Sequence, residues 1–357
     1  MVSGVIDEPF GSEILALDSP DFQVEYPFIY RKELIPADWL AVLDPTWRAG
    51  TIPGRKIRLF ELRDVFVAFE GLVFNKDLDV YRTSVTGHSP AEIELSVGRI
   101  RDRMQDGSLP VHLGRAVLCS KRGATNYGHF IVEMLPKAFL VRQHFPNTPL
   151  YYIVPGDRAR LGDVIMDSFQ MLGIDGQYLV RCSQEPAFFE EVILVDGLTQ
   201  HGQYMSPVVV ECLDCLASMV VPEPGERIYV SRRSAHFRKL RNEDELAPIF
   251  KEYGYRVIDP GVLPFRAQIA AFRGARSIIG VDGAGMTNIC FAPPGAMVTC
   301  LTPATMPETF YWFLCTHKRH RFRDIRCAEI DAGLPGWPSW TSDIAVDATE
   351  MADWLHA

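Results

Sequence analysis

The chain has 357 residues, of which 47% are hydrophobic and 23% are charged, a composition typical of a folded globular protein and not of a disordered one. This length favours two domains over one. Lys and Arg number 36 against 45 Asp and Glu, a net charge of -9. That balance argues against a general nucleic-acid-binding protein, which needs a basic face to contact phosphates.

Membrane and secretion signals are absent from the amino-acid pattern. No stretch approaches the roughly 18 apolar residues of a membrane span. Residues 1–10 are acidic and lack the basic and apolar regions of a signal peptide. We therefore expect a cytoplasmic protein, with peripheral attachment to the inner membrane as the alternative.

The eight cysteines are expected to be free thiols, because most of them stand in apolar runs of a chain without a secretion signal. Cys212 and Cys215 have the spacing of half a zinc site. No second pair or suitably spaced His follows, so a structural role is predicted over metal binding.

Residues 1–114 are predicted to form a β-rich extension packed on the first domain, because segments 57–62 and 65–74 alternate or are rich in β-branched and aromatic residues. Short apolar runs then alternate with helical patterns, which indicates βαβ units and a mostly parallel sheet. The predicted elements are a strand at 116–120, a helix at 128–144, a strand at 150–155, a helix at 160–172, a strand at 191–196 and a helix at 207–220.

A linker is predicted at 221–226, where two prolines and a glycine stand among charged residues. The pattern then resumes with strands at 227–231, 255–259, 277–281 and 296–301 and helices at 242–253, 267–274, 284–291 and 309–318. We predict an α/β fold with a first domain at 115–221, a second domain at 222–330 and a tail at 331–357. The helix of the tail, 347–356, is expected to return to the first domain.

The strongest local signal is a glycine turn between a predicted strand and a predicted helix. Gly283 and Gly285 can take unusual backbone angles and allow a ligand close to the main chain. The helix that follows offers unpaired N–H groups and a positive dipole end, which favour phosphate. Ligands of open α/β sheets bind at this end of the strands. A turn without a ligand is the alternative, and the spacing is not that of a dinucleotide fingerprint.

Basic residues follow the strand predicted at 227–231. Its end carries Arg232 and Arg233, whose guanidinium groups suit phosphate oxygens. In an acidic chain we interpret this pair as ligand-binding. For Arg238, Lys239 and Arg241 we predict a solvated basic loop.

A third segment combines a helix start with a candidate general base. Thr125 or Asn126 can cap the helix. His129 and Glu133 are four residues apart and therefore share one helical face, where the carboxylate can orient the imidazole. Taken alone, the pattern is more typical of a hydrogen-bonded core histidine, and metal ligation lacks an evident third ligand.

Taken in this order, the three segments resemble glycosyltransferase family 61. That family includes bacterial capsular-polysaccharide enzymes, plant xylan transferases and eukaryotic O-linked N-acetylglucosamine transferases. The resemblance covers roughly residues 115–325 and leaves the first hundred residues unexplained. The motifs that carry it are Asn126-Tyr-Gly-His-Phe130, Leu135-Pro136, Val230-Ser-Arg-Arg233, Arg241-Asn-Glu243, Gln268, the segments 275–280 and 283–291, Pro294-Gly295 and Phe310-Tyr311.

The resemblance implies a GT-B architecture, in which two Rossmann-like domains face each other across a cleft. It also implies an inverting, metal-independent transfer without a cofactor, from a nucleotide sugar that is often linked to uridine diphosphate. The acceptor would be an oligosaccharide or lipid-linked glycan, in bacterial surface or capsular polysaccharide synthesis. Nucleic acid is not an expected partner, and the oligomeric state is open.

The resemblance also distributes roles among residues. The first domain would bind the acceptor, with Asn126 and Tyr127 as contacts and His129 as the base, and Glu133 would orient His129 or replace it. The second domain would bind the donor. Its expected donor-binding residues are Ser231, Arg232, Arg233, Gly283, Ala284, Gly285, Thr287 and Asn288.

Two departures from the family pattern leave alternatives open. Asp282 stands where the family often has His, and Ala267 stands where Glu commonly precedes Gln268. A carboxylate at position 282 would repel a diphosphate. We therefore interpret Asp282 as a catalytic base, as an acceptor of sugar hydroxyls, or as a sign of altered or lost activity. The alternatives to a transferase are a catalytically silent nucleotide- or glycan-binding protein and a nucleotide-sugar epimerase.

Overall fold

The computed structural model describes residues 4–6, 11–156, 159–182, 184–331 and 333–356. The chain forms two compact units, a first unit of Met1–Pro20 with Gly54–Thr199 and a second unit of Asp21–Pro53 with Gln200–Ala357. Most of residues 1–10, the segment of the signal-peptide expectation, lies outside the described residues.

Strands and helices alternate along most of the described part of the chain. The strands are β1 Val5–Ile6, β2 Ser12–Asp18, β3 Phe22–Gln23, β4 Phe28–Tyr30, β5 Thr51–Ile52, β6 Lys56–Ala68, β7 Leu72–Phe74, β8 Val80–Tyr81, β9 Val111–Leu118, β10 Tyr151–Pro155, β11 Leu179–Cys182, β12 Ala187–Asp196, β13 Thr199–Gln200, β14 Tyr204–Met205, β15 Arg227–Val230, β16 Arg256–Ile258, β17 Ser277–Val281, β18 Met297–Pro303 and β19 Arg321–Cys327. The helices are α1 Ala37–Trp47, α2 Pro90–Gln105, α3 Tyr127–His129, α4 Leu135–His144, α5 Ala159–Met171, α6 Val208–Ser218, α7 Glu243–Glu252, α8 Phe265–Gly274, α9 Phe310–Lys318 and α10 Ala348–His356. A π-helix, Phe130–Met134, joins α3 to α4, and a 3₁₀ helix spans Ala284–Phe291.

The predicted α/β class is confirmed. The elements expected between residues 115 and 330 form with ends shifted by a few residues, because the period of the apolar positions sets the type of element more firmly than its ends. One element differs in kind, since segment 284–291 is a 3₁₀ helix. Among the described helices, none combines the length and the apolar character needed to cross a membrane. All eight cysteines are free thiols, as expected.

The first unit is built on one mixed sheet. Its strands lie in the order β1-β8-β7-β6-β12-β9-β10-β11, with β2 paired to β6. Strands β12, β9, β10 and β11 are parallel neighbours, whereas β6 runs antiparallel to β12. The extension predicted to pack on the first domain therefore continues its sheet instead. The parallel strands bury Val117, Ile153 and Val192, as their apolar runs require.

The second unit contains a sheet in the order β16-β15-β17-β18-β19-β4, and every pair of neighbours is parallel. Taken from β15 to β19, this is the doubly wound order 2-1-3-4-5, with β4 added at the edge. In that order the chain reverses direction across the sheet between β15 and β17. Ligands of such sheets bind at this topological switch point, beyond the carboxyl ends of the strands.

Two segments join a different part of the molecule than the sequence predicts. Strand β4, inside the presumed extension, pairs with β19 of the second unit. Helix α10 was expected to return to the first domain. Its Met351 lies in the core of the second unit instead, and the ring of Trp354 is 5.2 Å from that of Tyr30. An apolar face shows that a helix packs, but it does not specify against what.

Candidate active site

The candidate base of the first unit stands on a helix that begins shortly after β9. Asn126 caps this helix, since its side-chain oxygen accepts a hydrogen bond of 2.9 Å from the backbone N–H of Gly128. Of the two predicted cap residues, Asn126 is therefore the one used. The cap fixes the first turn, which carries Tyr127 and His129.

Replacing Asn126 by alanine should lower the free energy of unfolding by about 1 kcal/mol, because the first-turn N–H loses its acceptor. Thr125→Ala is the matched control and should change it by less than about 0.5 kcal/mol. Denaturant unfolding of both variants measures the difference. Equal losses would show that the cap does not hold this turn.

His129 and Glu133 lie on one face, as predicted, and are in contact. The distance between His129 Nδ1 and Glu133 Oε2 is 3.1 Å. The Glu133 side chain is 1% exposed, whereas that of His129 is 23% exposed. Lys121, which follows β9 by three residues, forms an ion pair with the same oxygen. The contact between His129 and Glu133 forms although Glu133 lies in a π-helix and not in a regular α-helix. Short π-helical segments are often found at functional sites.

This arrangement favours one tautomer of His129. A buried carboxylate needs a charge partner, and Lys121 supplies one. When Glu133 accepts from the Nδ1–H group, the lone pair of the imidazole lies on Nε2, which is the nitrogen that can take a proton. Sequence reasoning missed Lys121, although its place just beyond a parallel strand was a usable signal. It also missed Lys137, whose pKa is lowered by burial and by the charge of Lys121.

The second candidate site lies at the switch point of the second unit. Val230 and Gly280 are paired across β15 and β17, so the chain leaves both strands at the same edge. Beyond that edge follow Arg232 on one side and Asp282 on the other. The hydrogen bond of 3.0 Å from Asp282 N to Leu301 O extends the ladder one residue past β17.

Arg232 packs against the glycine turn. Its Nε donates to the carbonyl of Arg238 and its Nη2 to that of Phe237, both at 3.1 Å. A Cβ added to Gly283 would overlap the guanidinium, lying 3.0 Å from Nε and closer still to Nη1. Burial and the charge of Arg238 lower the pKa of Arg232 to about 10, so the group stays cationic at neutral pH.

Of the two glycines of this turn, Gly283 is needed for space and Gly285 is not. Gly283 is extended, with φ 161°, and Gly285 does not lie in the left-handed region either, so the predicted unusual backbone angles are wrong. A Cβ on Gly285 would make ordinary contact with Pro260 Cγ at 3.4 Å. Tyr311 fixes the turn by donating to the carbonyl of Gly283 at 2.7 Å.

Asp282 is buried beside two arginines. It is 2% exposed, and its Oδ1 lies 3.6 Å from Nη1 of Arg238. Burial raises the pKa of Asp282 to about 7; Arg238 and Arg232 oppose that shift, and the charges of Glu308 and Asp324 add to it. At neutral pH this carboxyl is therefore divided between its neutral and its ionised form.

Arg238 contradicts the prediction of a solvated basic loop. Its side chain is 9% exposed, whereas that of Arg241 is 61% exposed. The Cζ atom lies 5.3 Å from the ring centres of both Phe237 and Trp340. Its Nε is buried and has no hydrogen-bond partner among the described residues. Spacing along a loop cannot show which of several basic residues turns inward.

Ser231 and Arg233 belong to a network around Glu243. This buried carboxylate accepts from Ser231 Oγ at 2.8 Å and from Arg233 Nε at 2.5 Å. Arg233 also pairs with Asp244. The charge of Arg233 is thus matched by carboxylates of α7, and its predicted role toward a donor stays a prediction.

The remaining donor-binding candidates lie in the 3₁₀ helix. Ala284 and Gly285 begin it, and the first N–H groups of such a helix have no partner within it. Thr287 and Asn288 are fully buried. Asn288 Nδ2 donates to Gln268 Oε1 at 2.9 Å and to the carbonyl of Gly285 at 3.0 Å, so it holds the turn from inside.

Comparison with known proteins gives a family match for part of this chain. The family model Glycosyltransferase 61 matches residues 127–299. The match confirms the recognition of glycosyltransferase family 61, and this family implies a glycosyltransferase. The matched segment contains His129, Glu133, Arg232, Asp282 and Gly283. No curated protein matches the chain significantly.

Proposed function

We propose that the protein is an inverting, metal-independent glycosyltransferase that moves a sugar from a uridine-diphosphate-linked donor to a glycan acceptor. The observation that carries this proposal is the family match over residues 127–299, which spans both candidate sites. The GT-B arrangement and the role in bacterial surface or capsular polysaccharide synthesis belong to the same proposal. So does the acceptor, an oligosaccharide or a lipid-linked glycan.

The donor is assigned to the second unit. Without a metal, the leaving diphosphate must be stabilised by cations and N–H groups held in position before the reaction. Arg232 supplies a cation at the switch point, and the first N–H groups of the 3₁₀ helix, on Ala284 and Gly285, supply donors. Tyr311 and Asn288 keep the turn in place by binding its carbonyls.

The base is assigned to the first unit. The oxygen of an acceptor hydroxyl attacks the anomeric carbon, and the bond from that carbon to the diphosphate oxygen breaks with its electron pair. The hydroxyl proton passes to Nε2 of His129 as the new glycosidic bond forms. Glu133, paired with Lys121, accepts from the Nδ1–H group of the imidazole and thereby leaves Nε2 to take the proton. In this proposal Asn126 and Tyr127 contact the acceptor.

Uridine diphosphate should protect the protein against thermal unfolding. At a concentration 100 times its Kd, we expect about 2.7 kcal/mol of stabilisation, because the ligand binds only the folded state. A thermal-shift series with uridine, guanosine and cytidine diphosphates measures this stabilisation. The nucleoside uridine, which lacks the diphosphate, serves as the control. If no nucleotide raises the Tm at millimolar concentration, the donor site is wrong.

Transfer itself needs a separate assay. A donor and acceptor panel followed by NMR should show a product of inverted anomeric configuration, and transfer should persist in a chelator. If the chelator abolished transfer and a divalent metal restored it, metal independence would be wrong. Asp282, buried beside the cations that would bind the donor, favours a silent binding protein as the second candidate; nucleotide binding without any transfer would support it.

A further inference from the structure

Arg238 is a buried cation without a role in the proposed donor site, whose diphosphate-binding groups are Arg232 and the N–H groups of Ala284 and Gly285. Its Nε has no partner among the described residues, and its Nη1 contacts the weak acceptor Met306 Sδ at 3.5 Å. Its backbone is in the left-handed region, with φ 55°, where non-glycine residues are rare. Such strain persists only where the surroundings enforce it, commonly at functional sites.

The carboxylate partner of Arg238 is loosely placed. The 3.6 Å between Arg238 Nη1 and Asp282 Oδ1 is longer than the 2.7–2.9 Å typical of a charge-assisted hydrogen bond. Arg232 directs its own Nε and Nη2 to the carbonyls of the chain segment that carries Arg238. The two guanidinium groups are close enough for their charges to interact with each other and with the Asp282 carboxylate.

We propose that Arg238 is a second binding residue for the diphosphate of the donor. In the free protein the Arg238 guanidinium pairs with the Asp282 carboxylate, and the diphosphate replaces that carboxylate when the donor binds. This inference rests on the proposed function, since it assumes a nucleoside diphosphate at the switch point. A planar guanidinium with an unsatisfied Nε–H is well suited to paired phosphate oxygens.

This replacement couples donor binding to the uptake of a proton by Asp282. Facing Asp282 are the cations Arg238 and Arg232, the carboxyls Glu308 and Asp324, and the neutral groups of Tyr311 and Cys300. A bound diphosphate adds negative charge and favours the neutral form of Asp282. With a pKa of about 7 before binding, Asp282 should take up about half a proton per ligand at pH 7.

The test measures binding of uridine diphosphate by calorimetry to the full chain and to four variants. Arg238→Met should weaken binding about ten- to a hundredfold, because a hydrogen-bonded charge partner is lost. Arg241→Ala, an exposed arginine of the same loop, should bind within about twofold of the wild type. Asp282→Asn should bind about tenfold more tightly at pH 8 and about twofold more tightly at pH 7, since no proton must be taken up.

A double variant guards against a folding artefact. Arg238→Met alone leaves Asp282 without the cation of its ion pair, whereas Arg238→Met with Asp282→Asn removes both charges of the pair together. Circular dichroism and the Tm establish that each variant is folded. The double variant should bind uridine diphosphate about ten- to a hundredfold more weakly than Asp282→Asn does.

Proton uptake is the second measurement, and a merely structural role would not change it. Titrations in buffers of different ionisation enthalpy should show uptake in the wild type and about half a proton less in Asp282→Asn at pH 7. The proposed role of Arg238 is wrong if the double variant binds uridine diphosphate as tightly as Asp282→Asn does. The proposed role of Asp282 is wrong if the wild type and Asp282→Asn take up equal numbers of protons. In either case the donor site stands. If the folded wild type binds no nucleoside diphosphate, the proposed function itself is wrong.

Discussion

His129→Ala should lower kcat for sugar transfer by about 10²- to 10⁴-fold, the range expected when a general base is lost. The affinity for uridine diphosphate should stay within about twofold, because the donor is assigned to the other unit. The contact of 3.1 Å with Glu133 is the reason for this expectation, since it leaves Nε2 as the nitrogen that accepts the proton. Initial rates at saturating donor and acceptor give kcat.

The matched control for this variant is His144→Ala. His144 lies on the same helical segment, is exposed, and bonds through its ring to the carbonyl of Leu140 at 2.9 Å. Its removal should leave kcat within about twofold. Glu133→Gln should lower kcat without raising KM for the acceptor more than about threefold, because it disturbs the orientation of the base and not the substrate contacts. A His129→Ala enzyme that retains more than half of its kcat would remove His129 from the mechanism.

Gly283→Ala should weaken uridine diphosphate binding about ten- to a hundredfold and lower the free energy of unfolding by about 1–3 kcal/mol. The added methyl group would overlap the guanidinium of Arg232, which must then leave the two carbonyls that position it. Backbone strain has no part in the effect, because Gly283 is extended. Calorimetry and denaturant unfolding measure the two quantities.

The chain offers a control two residues away. Gly285→Ala places its methyl group in ordinary contact with Pro260 and Val230 and should change the free energy of unfolding by less than about 0.5 kcal/mol. A double-mutant cycle isolates the mechanism further. In an Arg232→Met background, Gly283→Ala should have little additional effect on affinity, because the group that it displaces is already gone. Independent, additive losses would show that the turn and Arg232 act separately.

The amino-acid sequence by itself determined the local features of this protein. The period of the apolar residues predicted most of the strands and helices between 115 and 330, although not β11 and β19. The spacing of His129 and Glu133 placed both on one helical face. It also placed Arg232 and the Gly283 turn after strand ends. These features depend on residues close together in the chain, so propensity and periodicity are sufficient to predict them.

Only the tertiary structure decided which distant residues meet. It brought Lys121 to Glu133 and turned Arg238 inward to Asp282, and it assigned β4 and α10 to the second unit. It also set the strand order that makes the end of β15 and β17 a switch point. Such pairings depend on packing between elements far apart in sequence, where many partners satisfy the same apolar or charged pattern. The glycine turn shows both sides: its position followed from the sequence, but the reason for glycine there is the guanidinium of Arg232.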